Sequence, residues 1–279
     1  MNAENETSSL AQACKSVLMT ATATDKAARA RLVAAQWRER KLSRDKGADP
    51  SWPARPARPD APQLLLPRDM PKRKISGPQG RKAQLHALAH IELNAIDLAF
   101  DLVGRFVDAP LPDAFIDDWM QVGADEARHF LMLNTRLGEL DMHYGELPAH
   151  DGLWQAAYDT RNDLLGRLAI VPLVLEARGL DVTPAMMEKF ARADDQKSVT
   201  LLSVIFEDEK THVAAGTRWF DYLCAAQEIS PEACFHDKVA TYFTGKLKPP
   251  FNDAARLEAG LPQSFYRMPT DEPHNQASE

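Results

Sequence analysis

Two short stretches of this 279-residue chain set out the same chemistry at the same spacing. Asp125-Glu126-Ala127-Arg128-His129 and Asp208-Glu209-Lys210-Thr211-His212 both read Asp-Glu-x-x-His. On a helix, Glu at i and His at i+3 project to one face, so each stretch offers a carboxylate and an imidazole to a common point. Two more acids stand in otherwise apolar stripes. Counted at about 100° per residue, Leu85, Leu88, Ala89, Ile96, Ala99 and Val103 share the face of Glu92, while Leu165, Ala169, Pro172, Leu173 and Leu180 surround Glu176. The paired motifs sit in apolar stripes too, with Trp119, Val122, Phe130 and Leu133 about Glu126 and Leu202, Ile205, Val213 and Phe220 about Glu209. Glu92 precedes Glu126 by 34 residues and Glu176 precedes Glu209 by 33, so a Glu followed by Glu-x-x-His occurs twice at matched depth.

Four carboxylates and two imidazoles turned into one core would be very costly without cations to compensate them. Two divalent metals would supply that charge, and one Glu from each of two helices plus Glu-x-x-His from two others is the ligand set of di-iron and di-manganese carboxylate bundles. The candidate ligands are Glu92, Glu126, His129, Glu176, Glu209 and His212. Glu126 and Glu209 would bridge, Glu92 and Glu176 would be terminal, and each His would serve one metal. Mixed N/O ligation suits two Fe ions, with Mn or a mixed Fe/Mn pair as alternatives. Asp125 and Asp208 lie about 100° round from their own Glu, towards a neighbouring helix. A metal-bound His usually donates its other ring N–H to a carboxylate, which assigns Asp208 to His129 and Asp125 to His212. The competing reading pairs these acids on the surface with Arg128 or Lys210. His86 and His90 are spaced i, i+4, but with Asn94, Asp97 and Asp101 they fall opposite Glu92. They read as a solvated or loop-packing polar face.

The elements that must carry these residues are helical. Breakers and caps predict long helices at about Arg81–Val107, Pro112–Leu140, Leu153–Arg178 (stopping at Gly179) and Lys197–Gln227, with Thr183-Pro184 starting a short helix before the last. The fold class expected is all-α, a four-helix bundle. It divides into a basic helical and Pro-rich arm over 1–80, the bundle with its di-metal site over 81–230, and a Pro-rich tail over 231–279 packing on the bundle. Residues 8–41 read as helix, and the prolines from Pro50 to Pro78 read as an extended connector. The longest apolar run, Leu168 to Leu175, is too short to span a bilayer. The start Met1-Asn2-Ala3-Glu4 shows no signal-peptide pattern. Cys14, Cys224 and Cys234 are odd in number and lack Cys-x-x-Cys spacing, against a disulfide framework or zinc ribbon. A cytoplasmic protein is the expectation.

Net charge conceals a split. Residues 1–82 carry 17 Lys and Arg against 8 Asp and Glu, whereas 83–279 carry 16 against 32. Arg38, Arg40, Lys41, Arg44, Lys46 and Lys72-Arg73-Lys74 could contact nucleic-acid phosphates. The preferred reading is that this arm wraps the acidic bundle, anchored by Trp52 and Leu64-Leu65-Leu66.

Residues 81 to about 227 resemble the ferritin-like superfamily of di-metal carboxylate proteins. More closely, His86-Ala-Leu-Ala-His90-Ile-Glu92-Leu, Asp125-Glu-Ala-Arg-His129, Leu175-Glu176-Ala-Arg-Gly179-Leu-Asp181, Asp208-Glu-Lys-Thr-His212 and Lys248-Pro-Pro-Phe-Asn252 resemble an uncharacterised bacterial ferritin-like family. The Asp-Glu-x-x-His form is also similar to bacterial di-iron hydroxylases, including those acting on modified tRNA. Other relatives fit less well. Leu133 stands where ribonucleotide reductase small subunits carry a radical tyrosine, and Leu180 where multicomponent monooxygenases carry a threonine. The cysteines of rubrerythrins are missing, and storage ferritins lack such long Pro-rich flanks. The resemblance implies an O2-activating di-iron oxidoreductase, a hydroxylase of a small-molecule or modified-nucleotide substrate that draws on an external electron donor. Ferroxidase or peroxide-scavenging activity is the alternative, and a non-catalytic metal-stabilised interaction protein is a third reading.

Overall fold

The computed structural model describes residues 8–47, 51–71 and 77–267. The fold is all-α. The only strands among the described residues are two-residue parallel bridges, β1 (Ser8–Ser9) with β2 (Leu42–Ser43) and β3 (Leu64–Leu65) with β4 (Ala149–His150).

Two N-terminal helices, α1 (Leu10–Leu18) and α2 (Ala23–Arg38), occupy the stretch that the sequence presents as one. Three long helices follow close to their expected bounds: α3 (Gly77–Arg105), α4 (Asp113–Glu139) and, later, α8 (Gln196–Ala226). The expected third helix is different. Residues 152–191 form α5 (Gly152–Asp159), α6 (Leu164–Ile170), a π-helical segment (Val171–Glu176) and α7 (Ala177–Ala191). Asp163 restarts the helix by accepting the Gly166 N–H at 2.9 Å.

Gly179 therefore does not end a helix, and Thr183-Pro184 does not begin one, because α7 runs through both. Pro184 lacks the N–H that would normally reach the Leu180 carbonyl one turn back, an omission that usually breaks a helix. Here the Asn252 side chain donates to Leu180 O at 3.1 Å and fills that place. Gly216 of α8 makes room for Pro172, since a Cβ there would stand 2.5 Å from the proline ring. The C-terminal part carries three short helices, α9 (Pro231–Tyr242), α10 (Asp253–Glu258) and α11 (Gln263–Tyr266).

Packing is pairwise. α3 lies along α4, α7 along α8, and α4 and α6 also touch α8. α1 covers α3, α2 covers α4, α9 packs on α6 and α8, and α10 on α7 and α8. One apolar core runs through these contacts, from Leu10 and Trp37 to Phe130, Leu173, Phe220 and Phe265. No helix among the described residues is long and apolar enough to cross a membrane. All three cysteines are free thiols.

The five described residues among the candidate phosphate contacts, Arg38, Arg40, Lys41, Arg44 and Lys46, are engaged within the molecule. Arg40 pairs with Asp117 at 3.2 Å, Lys41 with Glu39 at 2.6 Å and Lys46 with Asp108 at 2.5 Å. Arg38 donates to Gln121 at 3.2 Å. Arg44 reaches Asp113 and the carbonyls of Val107, Ala109 and Leu111 around the α3–α4 turn. Lys72, Arg73 and Lys74 lie outside the described residues. Trp52 donates to Asp101 at 2.6 Å. Leu64 and Leu65 pair with β4, while Leu66 is exposed.

The polar face of α3 opposite Glu92 is buried against this arm and the loops. Asp97 holds Lys26 and Arg58, both donating to it, with Lys26 and Asp97 fully enclosed. Asp101 holds Arg167 at 2.7 Å and Arg105 at 2.8 Å. His90 meets Tyr144 Oη at 2.8 Å, and His86 Nε2 accepts the Gly145 N–H at 2.9 Å. Of the two readings of this face, the structure selects loop packing.

Removing one partner of an enclosed ion pair leaves an uncompensated buried charge and typically costs about 3–5 kcal/mol. Asp97→Ala is accordingly expected to lower the unfolding free energy by about that amount, with Lys26 and Arg58 losing their shared acceptor. Urea denaturation of the purified variant checks this, and a loss below about 1 kcal/mol would show that the pair does not hold the arm.

Candidate metal centre

α3 brings Glu92, α4 brings Glu126 and His129, the π segment ends on Glu176, and α8 brings Glu209 and His212. Glu126 and His129 follow one another by three residues, as do Glu209 and His212, so each pair faces the same way from its helix. Glu176 is set by the wider π turn, a feature often found at functional positions.

These side chains converge. One ligand atom from each of Glu92, Glu126, His129 and Glu209 lies within 4.8 Å of the others, in a buried group that could hold metal ions. His129 Nδ1 is 3.3 Å from Glu92 and 3.6 Å from Glu126. His212 Nδ1 is 3.1 Å from Glu126 and 3.9 Å from Glu209. The two imidazole centroids are 5.8 Å apart. Glu176 lines one cavity with Glu92, Glu126 and Glu209. The Nδ1 atoms of both histidines thus turn inward to the carboxylates.

Their Nε2 atoms turn outward to the two aspartates. His129 Nε2 lies 2.9 Å from Asp208, and His212 Nε2 lies 3.7 Å from Asp125. Arg128 donates to both acids, at 2.8 Å to Asp125 and 2.7 Å to Asp208. Gln121 adds a bond to Asp125 at 3.0 Å. The two roles weighed for these aspartates therefore coexist: each faces the other motif's histidine while sharing one arginine.

Electrostatics mark the interior as short of positive charge. Burial, and after it the neighbouring Glu126 charge, pushes the carboxyls of Glu92 and Glu176 up to about 8. Burial and the same neighbour raise Glu209 as well. Glu126 goes the other way: burial opposes its charge, but the approach of His129 and His212 outweighs it and holds this carboxyl low. Burial likewise opposes charge on His129, yet Asp208, Glu126 and Glu92 push it up to about 12. His212 is raised against burial by Asp125, Glu126 and Glu209.

Several enclosed polar atoms nonetheless have no aligned hydrogen-bond partner among the described residues. At this centre they are both oxygens of Glu126, one each of Glu176 and Glu209, and both ring nitrogens of His212. Buried polar atoms are almost always paired, so a group of such orphans at one point calls for an explanation. A metal pair would satisfy the oxygens and the inward nitrogen together, and the mixed carboxylate and imidazole donors match iron or manganese.

A cavity of about 150 Å³ opens onto the four glutamates. Its remaining walls are mostly aliphatic, including Leu88, Ile91, Leu98, Val182, Leu202 and Ile205, with Arg178, Gly179 and Thr183 as the other polar or small positions. Neither histidine lines it. The centre therefore has an apolar, open carboxylate side and a closed histidine side bonded to Asp125, Asp208 and Arg128.

Sequence reasoning missed the cavity's Arg178 and Gly179, the bridging role of Arg128, and the docking of the C-terminal segment onto α7. Arg178 donates to the carbonyls of Lys248 and Pro250 at 2.8 and 2.9 Å. Asp181 takes a two-point bond from the buried Arg256 at 2.8 and 2.7 Å, and also the Asn252 N–H at 2.9 Å. Two prolines inside an otherwise helical run, Pro172 and Pro184, were the available signal that something other than a plain helix was present.

Comparison with known proteins places the chain among relatives. The family described as Protein of unknown function (DUF455) matches residues 19–267. An uncharacterized protein of Haemophilus influenzae (strain ATCC 51907 / DSM 11121 / KW20 / Rd) is 40% identical over 210 residues, covering 74% of this chain and 73% of its own length. No solved structure matches.

Metal uptake at this site would displace protons from Glu92, Glu176 and Glu209, and from His129 and His212. All five have raised pKa values, and those of Glu92 and Glu176 are about 8, so protons compete with the metal at neutral pH and the two carboxyls stop competing as pH rises through 8. Affinity for Fe(II) or Mn(II) is expected to rise between pH 6 and pH 8, with net proton release. Calorimetric titrations in two buffers of different ionisation enthalpy read that release directly, and pH-independent binding would contradict it. Asp208→Asn, which weakens the acceptor on His129, is expected to reduce metal affinity about 10–100-fold in chelator competition.

Proposed function

The chain belongs to the family described as Protein of unknown function (DUF455), and from its geometry we propose that it is a di-metal oxidoreductase that activates O2, a hydroxylase of a small organic substrate. In this reading α3, α4, α6–α7 and α8 are a ferritin-like four-helix bundle, and Glu92, Glu126, His129, Glu176, Glu209 and His212 hold two Fe ions or an Fe/Mn pair. The single observation that carries it is the apolar cavity whose inner wall is formed by four of those carboxylates.

When bound, a redox-active metal pair supplies the chemistry of O2 reduction. The chain's own residues do the rest. The aliphatic walls exclude water and admit the apolar part of a substrate, so the reacting carbon is held beside the carboxylates rather than in solvent. Asp125 and Asp208 fix ring orientation in the two histidines, and Arg128 fixes the two aspartates relative to each other. Hydroxylation places one oxygen atom in a C–H bond and releases the other as water, so electrons must come from an external donor and protons from solvent. An iron-storing or iron-oxidising role would favour an acidic route for cations, whereas the walls of this cavity are aliphatic.

Protein purified without oxygen should contain about two Fe or Mn ions per chain and should change its optical spectrum on exposure to O2. Absence of stoichiometric metal would overturn the proposal. Glu126→Ala, which removes a carboxylate that faces the inward nitrogens of both histidines, is expected to lose most of the bound metal. If that variant lost its metal and a strain carrying it kept the wild-type phenotype of the intact gene, catalysis would be rejected in favour of a structural metal.

A further inference from the structure

The cavity also restricts what can enter it. We propose that it takes a compact aliphatic group of about six carbons carried on a carboxylate, with Arg178 as the contact for the anionic head. This names the substrate class of the reading above and rests on it only in assigning the chemistry to the inner end.

Size sets the first limit. A cavity of about 150 Å³ matches one known to hold a benzene-sized guest, so the buried part of a ligand is about six non-hydrogen atoms. Lining sets the second. No aromatic side chain borders the cavity, so a nucleobase or other flat ring would have nothing to stack on, whereas Leu88, Ile91, Leu98 and Val182 suit a flexible alkyl chain. Ile91 is 44% exposed, a large apolar side chain facing both solvent and cavity, which places it at the mouth.

Charge sets the third. Arg178 is the one cation among the lining residues, and its side chain is 42% exposed. Only its Nη1 is engaged, with the carbonyls of Lys248 and Pro250 and, at 3.3 Å, with Asp181. The carbonyls orient the guanidinium without neutralising it, and Asp181 is already matched by the two-point bond from Arg256. Its Nη2 and Nε donate to nothing among the described residues. A guanidinium fixed on one side and free on the other presents the paired N–H donors that a carboxylate accepts. An alcohol would use at most one of them, and an ammonium would be repelled by the guanidinium itself.

Gly179 supplies an independent handle on the same space. A Cβ built there meets only Glu209 Oε2 at 4.0 Å, so a larger side chain can project into the cavity without striking the backbone.

Hexanoate, 1-hexanol and hexylamine, titrated by calorimetry into the full chain with and without added Fe(II), separate the possibilities. Hexanoate should bind about tenfold or more tightly than hexanol, and hexylamine should gain nothing from Arg178. Arg178→Gln should remove most of the hexanoate advantage while leaving hexanol binding in place, and Gly179→Leu should abolish both. Equal affinities for the three probes would overturn the proposal. So would loss of hexanol together with hexanoate in Arg178→Gln, which would mean that Arg178 holds only the C-terminal segment. Hexanoate binding that needs Fe(II) and ignores Arg178→Gln would place the carboxylate on the metal and also overturn it. Arg178-dependent binding in a chain that takes up no metal would sustain this inference while the oxidoreductase reading falls.

Discussion

Everything in this fold answers to one constraint: six ionisable side chains must stand in an apolar core without the solvation that water would give them. An isolated buried carboxylate shifts its pKa and takes a proton rather than remain charged. Three of the four glutamates do so here, while Glu126 keeps its charge because two imidazoles approach it. The protons on Glu92, Glu176, Glu209, His129 and His212 stand where metal ions would stand. The orphaned oxygens of Glu126, Glu176 and Glu209 mark where protons and side chains fall short of satisfying the group.

The same constraint reappears on the far side of α3. That helix is buried on both faces, with Glu92 turned to the cluster, Asp97 and Asp101 turned to the N-terminal arm, and His90 turned to Tyr144. Every carboxylate on that second face has a cation against it, Lys26 and Arg58 at Asp97, Arg105 and Arg167 at Asp101. The basic arm is therefore more than a counterweight to an acidic surface. It supplies two cations, Lys26 and Arg58, to the buried Asp97, and Trp52 lies over Gly104 so closely that a Cβ there would overlap the indole. A helix held this firmly on one face can present a strained, partly unsatisfied group on the other, since stability and function need not be drawn from the same contacts.

The two Asp-Glu-x-x-His stretches, the two lone glutamates and the three longest helices were legible because each rests on local periodicity, which a sequence displays directly. The segment around Glu176 was not. The sequence reads one helix straight through Pro172, a stop at Gly179 and a new start at Thr183-Pro184, because intrinsic preference treats each residue without its tertiary partners. In the folded chain Gly216 accommodates Pro172, and Asn252 replaces the bond that Pro184 cannot make, from 68 positions further along. No local rule can show a hydrogen bond of that range. The bridging position of Arg128 was hidden for the opposite reason. It stands within its own motif, and a surface pairing with Asp125 accounts for it until α8 brings Asp208 to the same guanidinium.

The division of the centre into two unlike sides has a chemical consequence. Behind the histidines, Asp125, Asp208, Arg128 and Gln121 form a connected polar layer in which donors face acceptors. Motion there would break charge-assisted bonds, so this side is the rigid one. In front of the glutamates there is aliphatic wall and free volume, so carboxylates holding a metal pair there could shift with little cost in protein contacts. A guest entering from that side would meet these carboxylates first, while the histidines it cannot reach stay fixed by Asp125 and Asp208. Gly179 and the π turn before Glu176 both belong to this front wall, and both leave space where a regular helix with an ordinary side chain would fill it. The irregularity of the third helical element is therefore the means by which a tightly packed helical core keeps one of its walls open.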